Sequence, residues 1–205
     1  MINMDKFSTA IVLAGGQSSR MGFDKQLLRI HERSLMDSIV NNLKEVFEEI
    51  IIVSNRPELY GDFKDTIVED ILKFKGPLGG IHSGLSITKS QYAFVVACDM
   101  PNVNLDYVRY MKSRLDIDNS LGCVTQYGNW IEPFSAFYSV ELQDKIEKYL
   151  RTGRRSINGL IKDYRMTYIP EDEAREFSPD WDMFLNLNTR HDLFNYLNNS
   201  SGCAN

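Results

Sequence analysis

The sequence predicts an α/β fold with a mostly parallel central sheet, and three observations carry that expectation. Short, branched, uninterrupted apolar runs recur at 9–13, 49–54, 66–69 and 92–99, the pattern of strands buried on both faces. Helical patterns separate several of these runs, as they do where crossover helices join parallel strands. The runs give way to Gly15, Asn55, Asp70 and Asp99. Ligands in open α/β sheets lie beyond the carboxyl ends of the strands, so these four positions are expected on one rim.

The first run, Thr9 to Leu13, breaks into Ala14-Gly15-Gly16 and then meets Arg20 and Lys25. Two adjacent glycines allow close backbone approach, free amides in such a turn form an anion-binding concavity, and the two cations suit a triphosphate. Lys25 is followed by Gln26 rather than by Ser or Thr, so this is not the common phosphate loop, and adjacent glycines do not make a dinucleotide fingerprint. A strand-to-helix turn carrying two surface cations explains the same letters. Next, Ser34 can cap a helix in which Leu35, Ile39, Leu43 and Val46 fall at three- and four-residue spacing. Ile50 to Val53 reads as a central strand, stopped by Pro57 after Ser54-Asn55-Arg56.

The remaining elements follow in order. A helix is expected over 105–115, strands over 121–127 and 132–138 with Gly128-Asn129 as their turn, and helices over 141–150 and 156–164 around the basic link Arg151 to Arg155. A further strand is expected over 165–169 and a last helix over 189–197, capped by Thr189. With 205 residues, 43% hydrophobic and 25% charged, the chain has the size of one well-cored domain, set at 1–199, with 200–205 as a frayed tail. Any two substrates must then share one sheet.

A net charge of −5 argues against nucleic acid as a general partner and leaves anion binding to a local basic patch. No window approaches the roughly eighteen apolar residues of a membrane span, and no basic leader with a long apolar stretch opens the chain. Three cysteines without C-x-x-C spacing fit a reducing compartment. The expectation is a soluble cytoplasmic protein with Cys98 and Cys123 in its core.

Two further segments carry chemistry. In Ala97-Cys98-Asp99-Met100-Pro101, proline prevents the strand from continuing, so the Asp99 carboxylate is presented at the rim, where it can hold magnesium with substrate phosphates or cap the next helix. In Gly76-Pro77-Leu78-Gly79-Gly80, the glycines leave backbone on which a flat base could lie and be read by main-chain groups, although a tight loop with a helix start explains the segment equally. His31, His82 and His191 are scattered, without a Ser or Cys nucleophile beside them, and are assigned surface or capping roles. Trp130 and Trp181 could line a substrate groove, but are assigned to packing. Asp24 can orient Lys25.

LAGGQSSRMGFDK, GPLGG, ACDMP and Asn186-Leu187-Asn188-Thr189 occur between residues 9 and 190 in an order and spacing that resembles the molybdenum cofactor guanylyltransferase family. The resemblance implies a Rossmann-like, three-layer nucleotidyltransferase fold. It also implies an activity that joins GMP from GTP to the terminal phosphate of molybdopterin and releases pyrophosphate. On the family's pattern, Leu13, Ala14, Gly15 and Gly16 contact the nucleotide through backbone. Lys25 attends its phosphates, Asn55 and Asp70 complete the nucleoside site, Asp99 binds GTP and Mg2+, and Asn188 is a second metal ligand; beside this pattern the residues themselves assign Arg20 to the leaving phosphate oxygens and Gly79 and Gly80 to the base.

Leu13-Ala14-Gly15-Gly16 favours GTP over CTP, since the cytidylyl relatives resemble Leu-Ala-Ala-Gly at this turn. Arg190 stands where the family often has proline after Asn-Thr, which makes the start of the last helix less defined. Glu132-Pro133-Phe134 and Gly153-Arg154-Arg155-Ser156 resemble the pterin-facing region, so Glu132, Arg154 and Arg155 are candidate acceptor contacts. A solvated charge cluster at a helix start explains the two arginines equally. Molybdenum insertion proteins and target molybdoenzymes are partners by resemblance alone. A cytidylyltransferase, a nucleotidyltransferase with another phosphorylated acceptor, and a non-catalytic nucleotide-binding protein are the alternatives.

Overall fold

The computed structural model describes residues 5–14, 29–30, 33–60, 63 and 65–201. In chain order its elements are β1 (Thr9–Leu13), β2 (Arg29–Ile30), β3 (Arg33–Ser34), α1 (Leu35–Leu43), β4 (Glu49–Val53), β5 (Thr66–Val68), α2 (Pro77–Leu85) and β6 (Tyr92–Ala97). There follow α3 (Leu105–Asp118), β7 (Gly122–Tyr127), β8 (Trp130–Ser139), α4 (Leu142–Arg151), α5 (Ile157–Lys162), β9 (Thr167–Pro170), α6 (Glu171–Arg175) and α7 (Arg190–Ser201).

Seven strands form one sheet in the order β5-β4-β1-β6-β8-β7-β9, while β2 and β3 make a separate small hairpin. β5, β4, β1 and β6 are parallel neighbours, β8 runs against both β6 and β7, and β7 is parallel to β9. The sheet is therefore mostly parallel, as its apolar runs predict.

Those runs are unalternating because both sheet faces are covered. Ala10, Val12, Ile50, Ile52, Phe94 and Val96 pack into a core with α1 and α3 on one face; Ile11, Leu13, Ile51, Val53, Ala93 and Val95 pack with α2, α4 and α5 on the other. Burying one such Val, Ile or Phe side chain contributes about 1.5–3 kcal/mol, which makes this double layer the main source of the fold's stability. At α1, Ser34 Oγ accepts from the Asp37 amide at 3.0 Å and Asp37 Oδ2 accepts from the Ser34 amide at 3.1 Å, a reciprocal cap at the expected helix start.

Several boundaries differ from the sequence expectation. The GPLGG segment opens α2: Gly76 sits at φ +66°, Pro77 occupies the first helical position, and Gly79 and Gly80 are buried in the first turn rather than exposed in a loop. Glycine content hid this helix, since its low intrinsic propensity is overridden by packing. β8 begins at Trp130 and bulges, with Cys123 opposite Phe137 but Thr125 opposite Glu132. Gly128, at φ +54°, makes the expected two-residue turn before it. β9 starts two residues later than expected. α7 extends through Ser201, into the segment expected to fray.

His82 is a correction. It is buried in α2, both ring nitrogens lack a hydrogen-bond partner among the described residues, and burial holds its pKa below the ordinary value against the opposing charges of Glu147 and Asp144. Its apolar neighbours left no sequence signal separating it from a surface histidine. Cys123 is in the core, where burial pushes its thiol up to about 12, whereas Cys98 is only half-buried at the rim. Among the described residues no helix is long and apolar enough to cross a membrane.

α2 lies on the sheet at Gly84, where an added β-carbon would come within 2.7 Å of Ile11 Cδ1, a fully buried side chain of β1. Gly84→Ala is therefore expected to lose about 1–2 kcal/mol in urea unfolding, the overpacking cost exceeding the gain in helix propensity. An unchanged or higher unfolding free energy would contradict this packing.

Candidate active site

The chain passes from β1 outward to β4 and β5, then returns across β1 to β6, so β1 and β6 flank the point where the strand order reverses. Backbone bonds tie the carboxyl ends of the three central strands together there. The Ala14 amide donates to the Val53 carbonyl at 2.8 Å and the Cys98 amide to the Leu13 carbonyl at 3.0 Å. Met100 donates back to the Ala97 carbonyl at 3.1 Å, so the chain turns sharply through Cys98-Asp99 before Pro101. Leu13, Ala14 and Asp99 are thus brought to one crest by main-chain geometry.

Asn55 and Asp70, fifteen residues apart in sequence, meet beside this crest: Asn55 Nδ2 donates to Asp70 Oδ2 at 3.0 Å. Gly80 of α2 packs tightly against β1, a β-carbon there lying 3.0 Å from Leu13 Cδ2 and in ordinary contact with Asp70 Oδ1 at 3.5 Å. Gly79 serves the loop before α2, its missing β-carbon being replaced by the Leu72 carbonyl oxygen at 2.8 Å. Burial raises the Asp70 carboxyl above its usual value, and the Asn55 bond opposes that shift. The result is a carboxylate kept as an acceptor with one amide donor beside it.

From the other side, the Leu187 amide donates to the Asp99 carbonyl at 2.9 Å, which sets Asn188 next to the strand end. The following helix is well defined despite Arg190: Asp192 Oδ2 accepts from the amides of Asn188 at 2.9 Å and Thr189 at 2.7 Å, and Thr189 Oγ1 accepts from the Asp192 amide at 3.1 Å. The expected Thr189 cap is therefore present. Asp99 and Asn188 offer one carboxylate and one amide, hard oxygen donors that fit Mg2+, which takes few protein ligands and completes its shell with water and phosphate. Among the described residues no group of three His, Cys, Asp or Glu forms an all-protein metal cage.

The candidate acceptor residues divide between the two faces of the sheet. Glu132 lies across from Thr125, whose hydroxyl meets that of Tyr107 at 2.5 Å on the α3 face. Because β8 runs against β6 and its pairing with β6 stops at Ala136 opposite Val95, its first residues run on past the carboxyl end of β6. Burial raises the Glu132 pKa, opposed by a 3.0 Å bond from Trp130 Nε1. Arg154 belongs to the opposite face, already engaged by Asp163 at 3.0 Å and lying 4.1 Å from the Tyr149 ring centre. Arg155 beside it is exposed. Gly15, Gly16, Arg20, Asp24, Lys25 and His31 lie outside the described residues.

The arrangement is similar to known proteins over most of its length. Residues 10–167 match the model of the MobA-like NTP transferase domain. A molybdenum cofactor guanylyltransferase of Syntrophotalea carbinolica is 50% identical over 188 residues, 92% of this chain and 90% of the relative. This chain belongs to the molybdenum cofactor guanylyltransferase family. A second relative, a probable molybdenum cofactor guanylyltransferase of Peptoclostridium acidaminophilum, is 48% identical over 93% of this chain and 88% of its own length. The fold is shared with the crystal structure of molybdopterin-guanine dinucleotide biosynthesis protein A of Archaeoglobus fulgidus, at TM-score 0.84 and 22% identity over 95% of this chain and 99% of that one. A guanylyltransferase of this family thus presents Leu13, Ala14, Asn55, Asp70, Asp99 and Asn188 along one crest.

Asp70 generates a test of the crest's electrostatics. Because the folded carboxyl holds its proton more tightly than the unfolded one, with its ordinary value of 3.8, stability falls as pH rises through the window above 3.8 in which folded Asp70 ionises. Asp70→Asn is expected to remove that part of the slope and to raise Tm at pH 7 relative to the parent chain. Parallel Tm-against-pH curves for the two proteins would refute the assignment.

Proposed function

We propose that this guanylyltransferase family member transfers GMP from GTP to the terminal phosphate of molybdopterin, releasing pyrophosphate and forming the guanine dinucleotide cofactor. The observation that carries this reading is the convergence of Leu13-Ala14, Asn55-Asp70 and Asp99-Asn188 at the strand-order reversal, within a chain of this family. The nucleotide side is assigned to β1, β4 and β5 and the acceptor side to β8 and β7, with Asp99, just past the end of β6, between them.

The protein's task is positioning and charge control rather than covalent chemistry. An acceptor phosphate oxygen attacks the α-phosphorus, the bond to pyrophosphate breaks, and the electron pair leaves on pyrophosphate. Two unit like charges about 4 Å apart repel by about 4 kcal/mol at an effective dielectric of about 20, so cations must accompany this encounter. Lys25 and Arg20 are assigned to the phosphates. Backbone at Leu13 to Gly16 takes the nucleotide, and the Asn55-Asp70 pair its nucleoside, while Gly79 and Gly80 are buried in α2 and face protein atoms. Asp99 and Asn188 would hold Mg2+, which when bound neutralises phosphate charge. The reading places the reaction in the cytoplasm and hands the product to molybdenum insertion proteins or molybdoenzymes, on the family resemblance alone.

The test is incubation of the chain with GTP, Mg2+ and molybdopterin, following pyrophosphate release and the guanine dinucleotide product, with CTP and UTP as competitors. Asp99→Ala and Lys25→Ala are each expected to lower kcat at least a hundredfold while the far-UV spectrum is retained. Near-parental GMP transfer by either variant would remove that residue from the mechanism, and preferential use of CTP would replace the nucleotide assignment.

A further inference from the structure

The loop from β5 to α2 carries an aromatic ring that neither core uses. Phe74 is 88% exposed, and its backbone sits at φ +62°. An exposed apolar residue is ordinary by itself, but a bulky side chain in the left-handed region is disfavoured, because its β-carbon crowds the following carbonyl. Among the described residues, the three other non-glycine positions with positive φ have local reasons. Asn119 is the left-handed cap of α3, Ser135 is buried at the β8 bulge, and Trp181 packs on Phe184 with ring centres 4.7 Å apart. Phe74 belongs to neither apolar core.

The strained conformation is held from both sides. Before it, the Ile71 amide donates to Ser83 Oγ at 2.7 Å, and Ser83 Oγ donates to the Gly79 carbonyl at 3.0 Å, which ties the loop to α2. After it, the Gly76 carbonyl accepts from the Gly79 amide at 2.9 Å. Leu72 and Lys75 line a small cavity against Glu147, Leu150 and Arg151 of α4, so the loop is anchored on that helix while the ring of Phe74 stays uncovered. A strained residue that its surroundings keep in place, with its side chain open to solvent, is the kind of outlier found at ligand clamps.

This loop borders the crest. It leaves β5 through Asp70, which is bonded to Asn55, and it enters α2, whose Gly80 packs on Leu13. Phe74 is four residues past Asp70, a stretch that spans at most about 14 Å, so its ring is within reach of a nucleoside held at Asp70. The Asn55-Asp70 pair offers polar contacts to an edge but no flat surface. The Gly79 and Gly80 backbone, expected from the sequence to lie against the base, is buried in α2. The face of the base is therefore left to another group, and an aromatic side chain covers such a face whatever hydrogen bonds its edge makes.

We propose that Phe74 stacks on the guanine ring of GTP. This rests on the GMP-transfer reading above and adds a base-stacking residue to its nucleotide side.

The experiment measures Tm and the binding of GTP and of inosine triphosphate, each with Mg2+, for the full chain and for Phe74→Ala, Phe74→Asn and Phe74→Tyr. Phe74→Ala and Phe74→Asn are expected to raise the Kd for GTP about tenfold. Inosine triphosphate, which keeps the ring system but lacks the exocyclic amine, is expected to weaken by the same factor, and Phe74→Tyr to bind GTP within twofold of the parent. Because asparagine accepts the left-handed backbone, Phe74→Asn is expected to keep or raise Tm while it loses affinity, a combination that a purely structural ring does not produce. A GTP Kd within twofold of the parent in Phe74→Ala, a Phe74→Tyr as weak as Phe74→Ala, or a lowered Tm in Phe74→Asn overturns the stacking contact and leaves GMP transfer standing. Unequal losses for the two nucleotides also overturn it, since the residue would then act on the edge of the base. If the parent chain binds no GTP, the transfer reading itself falls and the contact with it.

Discussion

Lateral backbone hydrogen bonding across the carboxyl ends of β4, β1 and β6 is the constraint on which the rest of this molecule depends. Parallel pairing holds Val53, Leu13 and Ala97 at one level, and the two bonds beyond the strands, Ala14 to Val53 and Cys98 to Leu13, extend that lacing into the loops. Parallel strands need both faces covered, because their crossover helices pack on either side. The two apolar cores and the crest at the strand ends are consequences of the same pairing.

The crest is therefore rigid where main chain is used and polar where side chains are used. Asn55 and Asp70 spend a hydrogen bond on each other at a site where burial makes an isolated carboxylate costly. Asp99 is held through its own carbonyl by the Leu187 amide.

The antiparallel β8 gives the sheet a second kind of edge. Parallel strands deliver loops to the crest only from their carboxyl ends; β8 delivers its beginning, together with the hairpin tip that precedes it. Its bulge, with Ser135 at φ +53°, lets the strand satisfy β7 at Trp130 to Glu132 and β6 at Ala136 to Ser139. One strand thus joins the β7-β8 hairpin to the parallel half of the sheet.

The sequence by itself determined the strands that form the centre of the sheet, the Ser34 and Thr189 caps, the Gly128-Asn129 turn and the polar positions at the strand ends. These rest on local physics: β-branched runs, short capping side chains and a glycine free to take positive φ. Only tertiary structure decided that Gly79 and Gly80 lie inside a helix, that His82 is buried, that Asn55 bonds Asp70, and that Arg154 turns to Asp163 and Tyr149 instead of the crest. Each of these depends on contacts between segments far apart in the chain. A glycine packed under a helix and a glycine opening a loop have the same letter, and only the atom that fills the missing β-carbon's place distinguishes them.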